Sequence, residues 1–415
     1  MKIYSFFISL IIRFFDSSIK FSFYLMLPIL IGFDGASKIQ LFISLIFITS
    51  IFLRYSSEEV MLKFLSNINF NAHNFNLLIR NNIKLLFINY LIFYLLVKIF
   101  NFFTTYNKEI IIFKILNEYE FLIILNSFCF SLMSIISFGF RAIGNINKSI
   151  FIQGFIWPII LFFLIFFTYK NNYDFDFVIK YFSAAISLIV LIISIYFYKK
   201  INFFFQETKR KEVTNEIKYE RLSLYIQSIS GMFIHWMPII IYGIFNDNIS
   251  TGIFGTYLKI SMGVFNFLLI IDFFAGKKIS NAYQLNDKKS IYNHFQFYRK
   301  LYIILSTIIF LSFISLLYVY SLFFKIYLFN TEFIIFLFFI LLASLFGPVD
   351  VTFLMLNKEK YRLKYSIIFI ISILSIFTIA SIFAPFKYTL FIFGILFFLN
   401  YFNKYKFIVR QINIQ

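Results

Sequence analysis

The sequence predicts an all-α polytopic membrane protein with about twelve transmembrane helices arranged as two six-helix bundles. Composition is the first reason: 61% of the 415 residues are apolar and 14% are charged, against about 25% charged in a soluble domain. Mean hydropathy is +0.85. The second reason is that windows of about 19 residues find apolar runs along the whole chain. The third is a charged stretch near the middle, KKINFFFQETKRKEVTNEIKYERL, with six apolar runs on either side.

The spans begin near Ile8, Ile39, Lys84, Glu120, Ser149, Phe177, Leu222, Gly252, Lys300, Glu332, Leu363 and Lys387. Most end in clusters of Lys, Arg, Asn or Asp, where an apolar crossing stops. The first run is too long and too charged for a secretory signal, and no small-residue cleavage site follows it. The resulting division is an N-terminal bundle over 1–198, a cytoplasmic linker over 199–221 and a C-terminal bundle over 222–415.

Basic residues orient the chain. Assigned to alternate sides, 27 of the 38 Lys and Arg residues fall on one face and 8 on the other, with Arg13, Lys20 and Lys259 inside spans. The positive-inside rule then makes both termini cytoplasmic. The formal net charge of +19 reads as this topology signal and as affinity for anionic membrane lipids, with no nucleic-acid partner. The loops are too short to fold into domains, which argues against a membrane polymerase with a catalytic external loop. Cys129 is the single cysteine and the three histidines are scattered, so no cofactor and no metal site are expected. The 67 Phe and 28 Tyr rise together with Ile, Asn and Lys, as in an A+T-rich genome, and carry no functional signal.

The informative feature is a set of charges in the first span. Arg13, Asp16 and Lys20 lie in IIRFFDSSIKFSFYLMLPIL. The apolar piece after Lys20 rises only about 20 Å, short of a hydrocarbon core of about 30 Å, so the triplet belongs within the span or at its inner mouth. Spaced at i, i+3 and i+7, the three share a helix face. Charges at such depth cost about 2.5–3.5 kcal/mol each on insertion scales and usually mark a transport path. A structural network in which Asp16 neutralises the two cations is the competing reading. Lys259 stands in the eighth span without an acid on its own helix. His235, three residues before Pro238, could carry a coupling proton. Arg54, Glu58 and Glu59 close the second span as a candidate cytoplasmic gate or a plain interfacial cluster. Asp272 and Asp350 lie near span ends and read as structural groups.

A duplication is visible at an offset of 210: Pro28 matches Pro238 and Asn147-Lys148 matches Asn357-Lys358. The prolines would kink the first span of each half, and each Asn-Lys pair would close a fourth span.

Several elements then resemble the polysaccharide-lipid flippases of the multidrug, oligosaccharidyl-lipid and polysaccharide exporter superfamily. They are IGFDGASKIQLF after the first span, FLRYSSEE after the second, RAIGNINKS after the fourth, GIFGTYLKI at the eighth, DKKSIYNHFQFYRKL before the ninth and GPVDVTFLMLNKEKY after the tenth. The resemblance covers nearly the whole chain. It departs from the family's pattern in having only 13 Gly and in carrying Gly276-Lys277 where a proline is usual.

The resemblance implies a MATE-like fold with a central cavity, no enzymatic activity, and residence in a bacterial inner membrane. It also implies a lipid-linked oligosaccharide as substrate and other polysaccharide assembly proteins as partners. The pyrophosphate of such a substrate needs buried cations, and Arg13, Lys20 and Lys259 would supply them, with Asp16 or His235 orienting or coupling. A drug exporter of the same superfamily would instead carry unpaired acids in its first and seventh spans, and this first span is net positive.

Overall fold

The computed structural model describes residues 3–58, 60–61, 72–104, 111–142, 145–171, 175–204, 214–324, 330–356 and 358–413, and among these it is helical with no strand. In order the helices are α1 (Ile3–Arg54), α2 (Ala72–Thr104), α3 (Ile111–Ala142), α4 (Ile146–Ile150), α5 (Ile156–Asn171), α6 (Phe175–Phe204) and α7 (Thr214–His235). Then come α8 (Met237–Phe245), α9 (Asn248–Gln284), α10 (Lys288–Phe324), α11 (Thr331–Ser344), α12 (Val349–Met355), α13 (Glu359–Ser372), α14 (Thr378–Phe383) and α15 (Phe386–Asn413). One π turn, Phe151–Phe155, joins α4 to α5, and another, Ile373–Phe377, joins α13 to α14.

Among the described residues, eight helices, or nine if the pair bent at Trp236 is one span, are long and apolar enough to cross a membrane. The apolar stretch Ile11–Arg54 has 44 residues, about 66 Å if straight, which is two bilayers' worth. It is divided at Gly32, whose φ of 70° lies outside the helical region. Only glycine takes that angle without a Cβ clash. The kink expected at Pro28 is not where the backbone leaves helical angles: the departure falls four residues later, at Gly32. Pro238 does accompany a break, a bend of 51° between Leu224–His235 and Met237–Phe245. Helices also overrun their apolar cores. The third begins at Ala72 and the ninth at Lys288, twelve residues before the expected Lys84 and Lys300, because backbone hydrogen bonding continues past the apolar run.

The chain forms two compact units, one of Met1–Met232 with Asp247–Gly252 and the other of Phe233–Asn246 with Ile253–Gln415. The ends of the charged 199–221 stretch are helical, in α6 and α7. The start of α7 belongs to the first unit because Arg221 Nη2 donates to Asn82 Oδ1 at 2.7 Å and Ser56 Oγ donates to the Arg221 carbonyl at 3.3 Å. The Tyr55 and Tyr225 rings meet at 4.6 Å. The short 247–252 piece is held in the same unit by Asn248 Nδ2 donating to Asp34 Oδ1 at 2.9 Å.

Within the first unit, the second span packs on α3 through buried serines. Ser127 and Ser131 donate to the carbonyls of Ile46 and Ser50 at 3.2 and 3.1 Å. Small hydroxyl residues let two backbones approach where lipid offers no hydrophobic drive. The outer surface is reversed relative to a soluble protein: Phe163, Phe166 and Phe167 on α5 and Leu188, Leu191 and Ile195 on α6 are exposed, as hydrocarbon-facing side chains should be.

Candidate functional site: a buried cation cluster in the first unit

Asp16 is the hub. Its side chain is fully buried, and its carboxylate takes the Arg13 guanidinium at 2.8 Å and the Lys20 ammonium at 2.9 Å, whereas the two cations keep 16% and 18% of their own surface. The spacings of three residues before Asp16 and four after it are those at which a helix brings side chains together. The group therefore carries one net positive charge and shows its cations, not its carboxylate, to anything that approaches.

The fifth span forms the ceiling over Asp16. The π turn Phe151–Phe155 inserts an extra residue into the helix and presents Gly154 to the carboxylate, so closely that a Cβ on Gly154 would overlap it. Such turns are rare and often lie at functional sites. The neighbouring Gln153 Nε2 reaches Ser134 Oγ at 3.5 Å.

Ser134 belongs to a second network at the same end of the unit. It accepts from Arg54 Nη1 at 2.7 Å and donates to Glu58 Oε2 at 2.6 Å, while Arg54 and Glu58 pair directly. Arg54 Nε also donates to the Ser50 carbonyl at 3.1 Å. The pair is thus a lock within one unit, tying the end of the second span to α3. Beyond it Tyr55 and Ser56 take left-handed angles, φ 43° and 53°, which cost non-glycine residues free energy. Glu59 lies outside the described residues. Arg141, at the end of α3, lies within electrostatic reach of Arg13 and Glu58. Four cations, Arg13, Lys20, Arg54 and Arg141, therefore face two carboxylates, Asp16 and Glu58.

Lys259 is placed differently from the expectation that it stands unpaired. It is 8% exposed, its Nζ donates to the His235 carbonyl, and it sits 2.9 Å from the centroid of the Trp236 ring. The break at Trp236 leaves the last carbonyls of α7 without helical partners, and the negative end of a helix dipole attracts a cation. Lys259 caps that break, a role invisible to a search for acids. His235 enters through its backbone.

The second unit holds an ionic knot that the sequence suggested only as separate span-end groups. Asp350 binds Arg362 at 3.2 Å and Lys404 at 2.9 Å, with Lys404 only 2% exposed. Tyr302 donates to Asp272 close by. These pairs join α12, α13 and α15, and α9 with α10. Asn147-Lys148 opens the fifth span instead of closing the fourth, since Lys148 lies in α4. Lys358 precedes α13, and Asn357 lies outside the described residues. No group of His, Cys, Asp and Glu suited to a metal ion occurs among the described residues.

No family model and no curated protein matches the sequence. Solved structures do match, over 98% of this chain. An outward-facing multidrug resistance MATE family transporter of the MOP superfamily aligns at TM-score 0.65 and 12% identity over 96% of its own length. The chain has the MATE transporter fold. An inward-facing form of a multidrug resistance MATE family transporter aligns at 0.61 and 12% over 98% of its length. A MOP superfamily transporter from Pyrococcus furiosus, for which a binding pocket of reversed polarity suggests a different function, aligns at 0.65 and 11% over 94%. At such identity the likeness concerns the fold.

Proposed function

We propose that this protein is a transporter that moves an isoprenoid-pyrophosphate-linked oligosaccharide from the cytoplasmic to the outer leaflet of a bacterial inner membrane by alternating access. The observation that carries the reading is the Arg13–Asp16–Lys20 group, buried in the first span with a net positive charge and its cations outward. A pyrophosphate crossing hydrocarbon must exchange water for fixed donors. Arg13 offers a planar fork and Lys20 a mobile point charge, while Asp16 holds both in place and keeps the empty site affordable. Lys259, fixed on the α7 break, adds positive charge in the second unit. The MATE transporter fold supports alternating access without any covalent step. An inside-negative potential favours outward movement of negative charge by about 2.3 kcal/mol per charge per 100 mV.

The multidrug MATE neighbours favour a second reading, a drug exporter. The sign of the buried charge separates the two, because an exporter of cations would have to bring its substrate against Arg13 and Lys20. The test is translocation of a labelled sugar-pyrophosphate lipid in inside-out vesicles. Protein-dependent translocation, lowered at least tenfold in Arg13→Gln/Lys20→Gln at equal abundance, is expected; each uncompensated tenfold corresponds to about 1.4 kcal/mol. Absence of translocation, or full activity of the double variant, overturns the proposal.

A further inference from the structure

At one end of the second unit the ends of α9, α12 and α15 meet the starts of α10 and α13 around an open cleft of about 120 Å³, lined by Tyr283, Asn286, Lys288, Ile291, Leu356, Lys358 and Gln411. Its floor is apolar and firm. Ile291 and Leu356 belong to a buried cluster with Ala275, Ile279 and Ala282, and Tyr283 packs at the edge of that cluster. Its rim is cationic. Among the described residues neither Lys288 nor Lys358 makes an ion pair.

The positions of the two lysines are what call for a ligand. Lys288 is the first residue of α10, a helix of 37 residues, and Lys358 is the residue just before α13, a helix of 14. Both stand at the positive end of a helix dipole, where a cation is disfavoured and an anion is favoured; at α13 the first residue, Glu359, supplies one acid. The one acid at the start of α10, Asp287, turns back to accept the Ser290 amide at 2.9 Å. It is therefore engaged with its own helix. Two helix N-termini and two lysine ammonium groups converge on one concave space whose base is apolar. That combination suits an anion attached to an apolar body.

We infer that the cleft binds the phosphate of an amphiphile, and that its occupant is the phosphorylated headgroup of an anionic membrane lipid. Leu285, 79% exposed on the turn between α9 and α10, is suited to dip into the acyl boundary while the lysines stay at the depth of lipid phosphates. Asn286, at φ 53°, makes the turn that brings Leu285 and Lys288 to the same rim. Placing the cleft on the cytoplasmic leaflet rests on the orientation proposed above; its anion chemistry does not. The site is separate from Arg13 and Lys20 and would anchor the second unit at the membrane surface.

The test measures binding of a fluorescent short-chain phosphatidylglycerol to the purified full chain in neutral detergent, with competition by phosphatidylcholine, inorganic phosphate and glycerol 3-phosphate. Lys288→Gln/Lys358→Gln is expected to weaken binding about thirtyfold, since each lysine near a lipid surface contributes about fivefold. Lys288→Arg/Lys358→Arg should retain binding, and Lys170→Gln/Lys387→Gln should leave it unchanged. Equal binding by the Gln pair, or equal competition by phosphatidylcholine, overturns the inference. Competition by inorganic phosphate at the lipid's own concentration overturns the lipid as occupant. Binding is read without transport, so this result and the translocation result stand or fall separately.

Discussion

Gly154→Ala tests the architecture of the cation cluster with one methyl group. A Cβ built at Gly154 lies closer than 3 Å to Cγ, Oδ1 and Oδ2 of Asp16, and Asp16 has no exposed surface into which to retreat. The substitution must push the carboxylate away from Arg13 and Lys20 or open the π turn. Overpacking of this kind costs about 1–3 kcal/mol. The sign is diagnostic, because glycine to alanine in an unobstructed helix stabilises by up to about 1 kcal/mol. A double-mutant cycle sharpens it. Asp16→Ala alone leaves two partly buried cations without their counter-ion and should cost about 2–4 kcal/mol, discounted from a fully buried pair because both cations reach some solvent. With the carboxylate gone, the alanine at 154 meets empty space. Gly154→Ala/Asp16→Ala should therefore be about as stable as Asp16→Ala, a coupling of about 1–3 kcal/mol. Equilibrium unfolding in mixed micelles reads all three variants. Gly154→Ala at or above wild-type stability, or additivity in the cycle, would refute the contact.

Other perturbations probe the rest of the frame. Asp350→Ala should destabilise by about 2–4 kcal/mol because Lys404 is left buried and unpaired, and Lys404→Met on top should recover part of the loss; thermal unfolding reports both. Lys259→Met should cost about 1–2 kcal/mol by uncapping the break at Trp236, with Lys259→Arg milder, and the change in Trp fluorescence would locate the effect. Asp247 caps α9 by accepting the Ser250 amide at 2.8 Å, and this bond holds its carboxyl below the ordinary 3.8. A depressed carboxyl contributes stability above its unfolded value and loses it as pH falls through the folded one. Asp247→Ala should therefore cost about 1 kcal/mol at neutral pH, and the gap to wild type should close only below about pH 4; unfolding curves over that range check it.

The crossings were legible because hydrocarbon imposes a composition on every span. The face shared by Arg13, Asp16 and Lys20 was legible because helix periodicity fixes which residues meet along one strand of chain. What could not be read was whatever depends on a second span. Gly154 in FIQGF looks like a weak point in an apolar helix until the π turn sets it against Asp16, about 140 residues away in sequence. Ser134 is one of many serines until Arg54 and Glu58 close on it. Lys259 has no acid on its own helix, and its partner is a carbonyl, since a helix break creates an acceptor that no side chain announces. The third and ninth helices start before their apolar runs for a related reason: apolarity marks the membrane, whereas a helix begins and stops only where its backbone bonds find another partner.

The two units use one device with different balances of charge. In each, a carboxylate gathers two cations, the fully buried Asp16 with Arg13 and Lys20, and the partly exposed Asp350 with Arg362 and Lys404. In the first unit the next ionised neighbours, Arg54 with Glu58 and then Arg141, cancel to one further positive charge. In the second, the neighbouring Asp272 is hydrogen-bonded by Tyr302 and adds no further cation. Arg13 and Lys20 keep 16% and 18% of their surface, whereas in the second unit Arg362 keeps 22% and Lys404 only 2%. On the proposed reading, the headgroup should therefore depend on the first unit's cluster for its charge, and the second unit's knot should serve stability. Lys404→Met/Asp350→Ala, which removes cation and carboxylate together, should then leave translocation per folded molecule near wild type, whereas Lys20→Met should lower it. Equal loss in both would mean that the two knots act on the substrate alike, and the charge argument for the first span would fall.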